Sequence, residues 1–473
     1  MKTIKYLFIG AMMTMVVAPV NAQVDNNAVN QVKAILQSNP ADAAKQINSI
    51  AKPFKKNAAT LAAIAREYYR VEKTEEAKTW AEKALSASKN KCGDAWIVLG
   101  DIEGNYNDNG GKAAENYQQA IYMDPQNPAG YLKYAQAMSS SSLATSVDVL
   151  EQLGNNIPGY PWQIEAAKLC GKSDPAKAIH YYDMVDRSKM DEAEFMDYAT
   201  TCFLKKDYAK SLDIVKTGIA KYPNYAQLYR LGLYATVAEE NYNEAITYAK
   251  NLFAKADADK LIENDYLSAA AAYSGIKDYA NAKEMYKKAI AINKGNKDNL
   301  ANALQGLADT YENENNFVDA IETYKKFLET KENPAASDYA ALGSKYTYYA
   351  SSLTGDEQKV QFANADKTFA DLATKFADAA EYATHQRARI AGQLDPDSKA
   401  GLAKPFYDQL INIITTDGRI EGASKSRLIE AYRYNMAYSL LIQNNTASAK
   451  NYAAKILEQD PENEQAKAVS ELK

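Results

Sequence analysis

The chain has 473 residues, 47% of them hydrophobic, with 55 Lys and Arg against 60 Asp and Glu, for a formal net charge of −5. This mildly acidic balance, with no basic stripe to offset it, argues against DNA, RNA and anionic membrane surfaces as partners. The length suggests about three compact domains, unless the chain is a repeat array in which each unit packs only on its neighbours.

Residues 1–22 read as a signal peptide. Lys2 and Lys5 form a basic start, Tyr6 to Val20 is apolar but short for a membrane span, and Val20-Asn21-Ala22 offers a small-residue cleavage site. Loss of Lys2 and Lys5 takes the net charge from −5 to −7. No Cys follows the cleavage site, so no lipid anchor is expected there, and the expected location is periplasmic or secreted. Residues 23–57 read as a polar leader and a degenerate helix pair, 30–37 and 42–51, with Asn39-Pro40 at the turn.

From residue 58 to residue 461 one register recurs. It is clearest between Glu263 and Pro334, where Ala270, Tyr273, Ala282, Tyr286 and Ala289 are echoed by Ala308, Tyr311, Ala320, Tyr324 and Phe327. Offsets of three, four and seven place side chains on one helix face. The short polar stretch Glu312–Phe317 between the two halves forces the helices antiparallel. Small residues let the backbones come close, and aromatics fill the adjacent space. A turn signature accompanies the register: Asp207-Tyr208 before Ser211, Asn241-Tyr242 before Ala245, Asp278-Tyr279 before Ala282, and Asn316-Phe317 before Ala320. Asp and Asn tolerate turn conformations and cap a following helix, and the aromatic is expected to plug the end of the pair.

In chain order the units are 58–90, 93–127 with one residue inserted in its turn, a degenerate 128–160, and 161–189 with a short first helix. They continue with 191–224, 225–260, the two clear copies, 337–378 with an enlarged turn at Thr354-Gly355-Asp356, a poor match at 379–417, and 424–461. Residues 462–473 read as a polar C-terminal capping helix, which solenoid ends need. About twelve helix pairs result, undivided by any Gly/Ser-rich or Pro-rich linker, with bends expected near 254–260 and 394–401.

This pattern resembles the tetratricopeptide repeat family, whose unit is a helix-turn-helix of 34 residues. The best match to its Trp-Leu-Gly positions is Trp96, Leu99 and Gly100, followed by Ala113, Tyr117, Ala120 and Pro125. The resemblance implies an all-α fold, a right-handed α-solenoid of antiparallel helix pairs. It also implies a scaffold whose first helices line a concave groove for a protein or peptide partner; with the signal peptide, an exported bacterial member that binds another cell-envelope or secreted protein is expected. Carried onto this chain, the groove positions are Arg66 and Tyr69 in one unit, Asn264 and Leu267 (with Ala271 and Ser274) in the first clear copy, and Asn302, Gln305, Asp309 and Glu312 in the second. Members that clamp a C-terminal carboxylate use Lys, Arg and Asn there. Asn302 fits that set, but Asp309 and Glu312 do not, so a basic or polar ligand segment is expected. The alternative is a glycan-capture protein of an outer-membrane uptake system, against which the missing lipid-anchor Cys and long insertions count.

Neither an HExxH, CxxC, GxSxG, GxGxxG nor a P-loop pattern occurs, and no enzyme activity, metal or cofactor is expected. His385, beside Arg387 and Arg389, is expected at the surface, and His180, before Tyr181 and Tyr182, is expected against a neighbouring helix. Cys202 occupies the Tyr273 and Tyr311 slot and Cys170 sits near the equivalent one. Stacked helices roughly 8–10 Å apart are too distant for an easy disulfide, so free, packed thiols are expected. Most of the 35 tyrosines are expected to fill repeat positions.

Overall fold

The computed structural model describes residues 23–472, so the expected signal peptide lies outside the described residues. Among these residues there are 25 α-helices and no β-strand, and no helix is long and apolar enough to cross a membrane. The chain divides into two compact units between Gly218 and Ile219, inside a helix and without any linker composition to mark it.

The first unit contains α1 (Asn26–Ser38), α2 (Ala43–Ala51), α3 (Ala58–Arg70), α4 (Thr74–Ser88), α5 (Gly93–Asn105), α6 (Gly110–Met123), α7 (Pro128–Met138), α8 (Leu143–Asn156), α9 (Trp162–Cys170), α10 (Pro175–Asp183), α11 (Glu192–Leu204) and most of α12 (Tyr208–Lys221). The second contains α13 (Ala226–Ala238), α14 (Tyr242–Lys255), α15 (Glu263–Gly275), α16 (Tyr279–Ile292), α17 (Lys297–Asn313), α18 (Phe317–Thr330), α19 (Ala336–Ser351), α20 (Gly355–Lys375), α21 (Ala380–Leu394), α22 (Lys404–Asp417), α23 (Gly422–Leu441), α24 (Thr446–Gln459) and α25 (Glu464–Ser470). Consecutive helices form twelve pairs with α25 left over, which agrees with the twelve pairs expected from the sequence.

The turn inside a pair is built the same way many times. Glu72, Lys206, Glu240, Lys277 and Asn315 all adopt left-handed backbone, with φ of 61°, 62°, 57°, 61° and 59°. The amide after each reaches back to the first helix: Asp278 N donates to Tyr273 O at 2.9 Å, Asn316 N to Tyr311 O at 2.9 Å, and Asn241 N to Thr236 O at 2.8 Å. This six-to-one bond satisfies carbonyls that a helix end leaves open. The same residue then caps the next helix, Asp278 through Asn281 N and Asn316 through Asp319 N. Sequence reading found the cap but missed the left-handed residue, because Lys and Glu carry no mark for it. Lys277→Gly should therefore raise stability by roughly 0.5 kcal/mol, the relief of about 1 kcal/mol of left-handed strain being offset in part by glycine's greater chain entropy. A shift in the urea midpoint checks it.

The aromatic that follows the cap does not close its own pair. The Tyr242 ring lies so close to Gly275, at the end of the next first helix, that a Cβ there would fall 2.3 Å from it. The Phe317 ring stacks on Tyr349 of α19 with centroids 5.8 Å apart. These aromatics join successive pairs.

Inside the pairs the small positions do what the register requires. Ala270, Ala282, Ala308 and Ala320 are fully buried. Where serine replaces alanine, its hydroxyl bonds a carbonyl across the pair: Ser211 Oγ donates to Ala199 O at 2.8 Å, and Ser146 Oγ to Ala135 O at 2.7 Å. All three cysteines are free. Cys170 and Cys202 are buried, and burial pushes the Cys202 thiol up to about 12 and the Cys92 thiol up to about 11. Of the described tyrosines only Tyr106, Tyr122 and Tyr348 are exposed.

Two local expectations change. The turn near Thr354 is not enlarged: it spans 352–354, and the extra residues lengthen the helices, α19 to 16 residues and α20 to 21. Asp356 and Glu357 in the first turn of α20 favour starting the helix there. The two histidines also exchange roles. His180 is exposed, its ring beside that of Tyr181. His385 is 7% exposed, with Nε2 3.1 Å from Glu430 Oε2 but not aligned as a hydrogen bond. Charged neighbours in sequence made His385 look like surface, but Arg387 turns away to Asp366 while the imidazole points at α23.

Candidate partner-binding face

Second helices pack on their own first helix and on the next one, while first helices also touch the next first helix. The contacts run α1 to α3 to α5 to α7 in the first unit, and α13 to α15 to α17 in the second. The first helices therefore stand side by side, and the row presents one stripe of each.

On α15 that stripe carries Asn264, Leu267, Ala271 and Ser274, and on α17 it carries Asn302, Gln305, Asp309 and Glu312, with the same offsets of three, four and three. Asn264, Asn302 and Asp309 are exposed, and Leu267, Gln305 and Glu312 are half-buried. Asn264, Asn302 and Gln305 make no hydrogen bond with other described residues. In the first unit Arg66 and Tyr69 lie half-buried on α3. Both are engaged: Arg66 Nη2 is 3.3 Å from Asp94 Oδ1 on α5, and Tyr69 OH accepts from Asn105 Nδ2 while its ring meets Tyr106 edge-on.

The acidic pair is not a free anionic surface. Lys345 of α19, only 4% exposed, brings Nζ to 2.8 Å from Asp309 Oδ1 and also bonds Glu312 Oε2. Its ammonium sits 4.8 Å from the Tyr324 ring. The acidic pair on α17 is thus largely neutralised by its own neighbour, which removes the reason to expect a basic ligand there.

Lys345 is one rung of a wider arrangement. Lys133 of α7 pairs with Asp101 of α5 at 2.8 Å, and Lys168 of α9 with Glu194 of α11 at 3.7 Å. In the second unit Arg230 of α13 pairs with Asp265 of α15 at 2.7 Å, and Arg427 of α23 with Glu381 of α21 at 2.6 Å. Asn299 of α17 donates to Glu263 of α15 at 3.1 Å. Each rung joins consecutive first helices. Most are half-exposed and contribute little individually, but they fix the spacing of the row. The rung at Asp265 is different because Asp265 is fully buried. Arg230 donates Nε to its Oδ1 and Nη2 to its Oδ2, each at 2.7 Å. The Tyr234 hydroxyl and the Ile262 amide complete it at 2.7 and 3.0 Å. Burial, and the bond to Asp265, push the Tyr234 phenol well above its usual range. Sequence reading missed the rungs. The signal was there as opposite charges about one repeat apart, 35 residues for Arg230 and Asp265 and 36 for Asp309 and Lys345, but pairing them requires the stacking geometry.

Antiparallel helix pairs stacked through their first helices, with a polar stripe on that face, define a helical-repeat protein of the solenoid class. Residues 266–296 and 303–335 each match a family model described as tetratricopeptide repeat, so the chain carries tetratricopeptide repeats. Repeats of this family bind protein or peptide partners. No curated protein matches the chain. Among solved structures it is similar to the C-terminal part of a TPR repeat-containing protein from Cytophaga hutchinsonii, at 23% identity and a TM-score of 0.47, covering 59% of this chain and 100% of that one. A tetratricopeptide repeat protein from Parabacteroides merdae is similar at 13% identity and a TM-score of 0.33, over 52% of this chain and 97% of that one. YrrB, a TPR protein with an unusual peptide-binding site, is similar at 17% identity and a TM-score of 0.34, over 40% and 97%.

Proposed function

We propose that the chain is an exported, non-catalytic scaffold that binds another cell-envelope or secreted protein along the first-helix row of its second unit. The supporting observation is the contrast within that row. Charged groups at the repeat junctions are paired, while the amides of Asn264, Asn302 and Gln305 on α15 and α17 are left without partners among the described residues. Side-chain amides offer both donor and acceptor, which suits the backbone of an extended segment laid across consecutive helices. Leu267 beside them supplies an apolar contact. Export rests on the basic, apolar and small-residue pattern of residues 1–22, and the leading partner class follows from that compartment.

Crosslinked affinity capture of the tagged chain from its native envelope tests this reading. One stoichiometric partner is expected, and the Asn302→Ala/Gln305→Ala variant should bind it roughly thirtyfold more weakly, the loss of two hydrogen bonds of about 1 kcal/mol each. Unchanged recovery by a variant that keeps its helical signal contradicts the assignment of the face.

A further inference from the structure

The same row of first helices ends in a second, chemically different site. Between α21, α23 and α25, with α22 behind, lies a pocket of about 610 Å3, within the range of sites that hold a compact ligand group. Its wall is Tyr434 with Leu441 and Val469, and Leu441 is 71% exposed. Its charged lining is Arg389 from α21 and Arg433 and Glu430 from α23.

These charges do not cancel one another as the rungs elsewhere do. Glu430 is already occupied. The Tyr407 hydroxyl donates to its Oε1 at 2.9 Å, and His385 Nε2 stands 3.1 Å from its Oε2. His385, followed by Tyr407, holds the Glu430 carboxyl below the usual range. Arg389 is exposed and makes no hydrogen bond or ion pair with another described residue. Arg433 donates Nη2 to Gln465 Oε1 at 2.9 Å, a neutral partner. Two guanidiniums therefore face the pocket against the single carboxylate of Glu430, whose charge Arg389 helps to favour without pairing with it, so that positive charge is in excess, and guanidinium is the side chain best shaped to take a carboxylate in two parallel bonds.

We infer that this pocket binds an acidic peptide segment of another protein, seating a large apolar side chain against Tyr434, Leu441 and Val469 while flanking Asp or Glu carboxylates pair with Arg389 and Arg433. Charge complementarity selects this occupant. A basic segment would meet an excess of positive charge from Arg389 and Arg433 over Glu430, and a purely apolar one would leave the arginines unused. The inference rests on the scaffold reading but not on Asn302 or Gln305.

Fluorescence anisotropy of the intact chain with a fluorescein-labelled, C-terminally amidated peptide, Gly-Glu-Phe-Glu-Leu-Gly, tests it. The peptide with Gln in place of Glu is expected to bind at least tenfold more weakly. Arg389→Gln and Arg433→Gln, both on exposed side chains, should each weaken binding of the Glu peptide roughly tenfold, as expected for a charge-assisted bond. The Asn302→Ala/Gln305→Ala variant should bind it unchanged, so that failure here is separate from failure of the α15–α17 face. Equal binding of the Glu and Gln peptides, binding only of a Gln peptide that carries a free C-terminal carboxylate, or indifference to both arginine substitutions overturns the inference.

Discussion

Asp265→Ala should destabilise the second unit by about 3–5 kcal/mol, the cost of breaking a buried ion pair from one side. The carboxylate receives four bonds, two from Arg230, one from Tyr234 and one from the Ile262 amide. Its removal leaves a half-buried guanidinium, a phenol and an amide to find water in a fully enclosed position. Because each repeat packs mainly on its neighbours, the loss should appear first as faster amide exchange in α13 and α15, and then as an earlier urea transition. Replacing both ends, Arg230→Met with Asp265→Leu, should restore much of the stability, since apolar isosteres of a buried pair are often neutral or better. If the single variant exchanges like the native chain, the rung is not holding these two helices together.

The second large effect concerns Gly343 and Phe369. A Cβ at residue 343 would lie 2.6 Å from Phe369 Cζ and 2.8 Å from both Cε atoms, and the ring is 1% exposed with nowhere to move. Phe369→Ala should cost about 3–5 kcal/mol through the cavity it leaves, and Gly343→Val about 1–3 kcal/mol through overpacking. The two are in contact and should not add. The valine methyls occupy space vacated by the ring, so the double variant should be more stable than the sum of the singles by 1 kcal/mol or more. Strict additivity in urea midpoints would show that the contact does not govern this crossing. The same device recurs where Gly100 meets Tyr117 and Gly232 meets Tyr248, with Cβ approaches of 2.4 and 2.5 Å.

The pairing was legible because local chemistry specifies it. Ala270, Tyr286, Ala308 and Tyr324 carry the helical offsets, and Asp278 and Asn316 announce the helix starts. What failed to show in the sequence depended on contacts between repeats. The division between Gly218 and Ile219 falls within a regular helix and has no compositional mark. The Thr354 turn looked enlarged because Gly355 reads as a breaker, whereas it begins a longer helix. His385 and His180 were exchanged because burial is decided by which neighbouring helix lies opposite. Of the expected groove positions, Asn302 is exposed and Gln305 half-buried, both without a hydrogen bond to another described residue. Asp309 and Glu312 are paired instead, because Lys345, a full repeat away, answers both.

Site-specific photocrosslinking reads the central claim, that the first-helix row is where a partner binds, most directly. A benzophenone amino acid placed at Asn302, on the exposed stripe of α17, is compared in the native envelope with one at Lys326, exposed on the second helix α18. A discrete adduct from position 302 and none from position 326 is the predicted result. Adducts of equal yield from both positions, or from position 326 alone, would place the partner elsewhere and contradict the account.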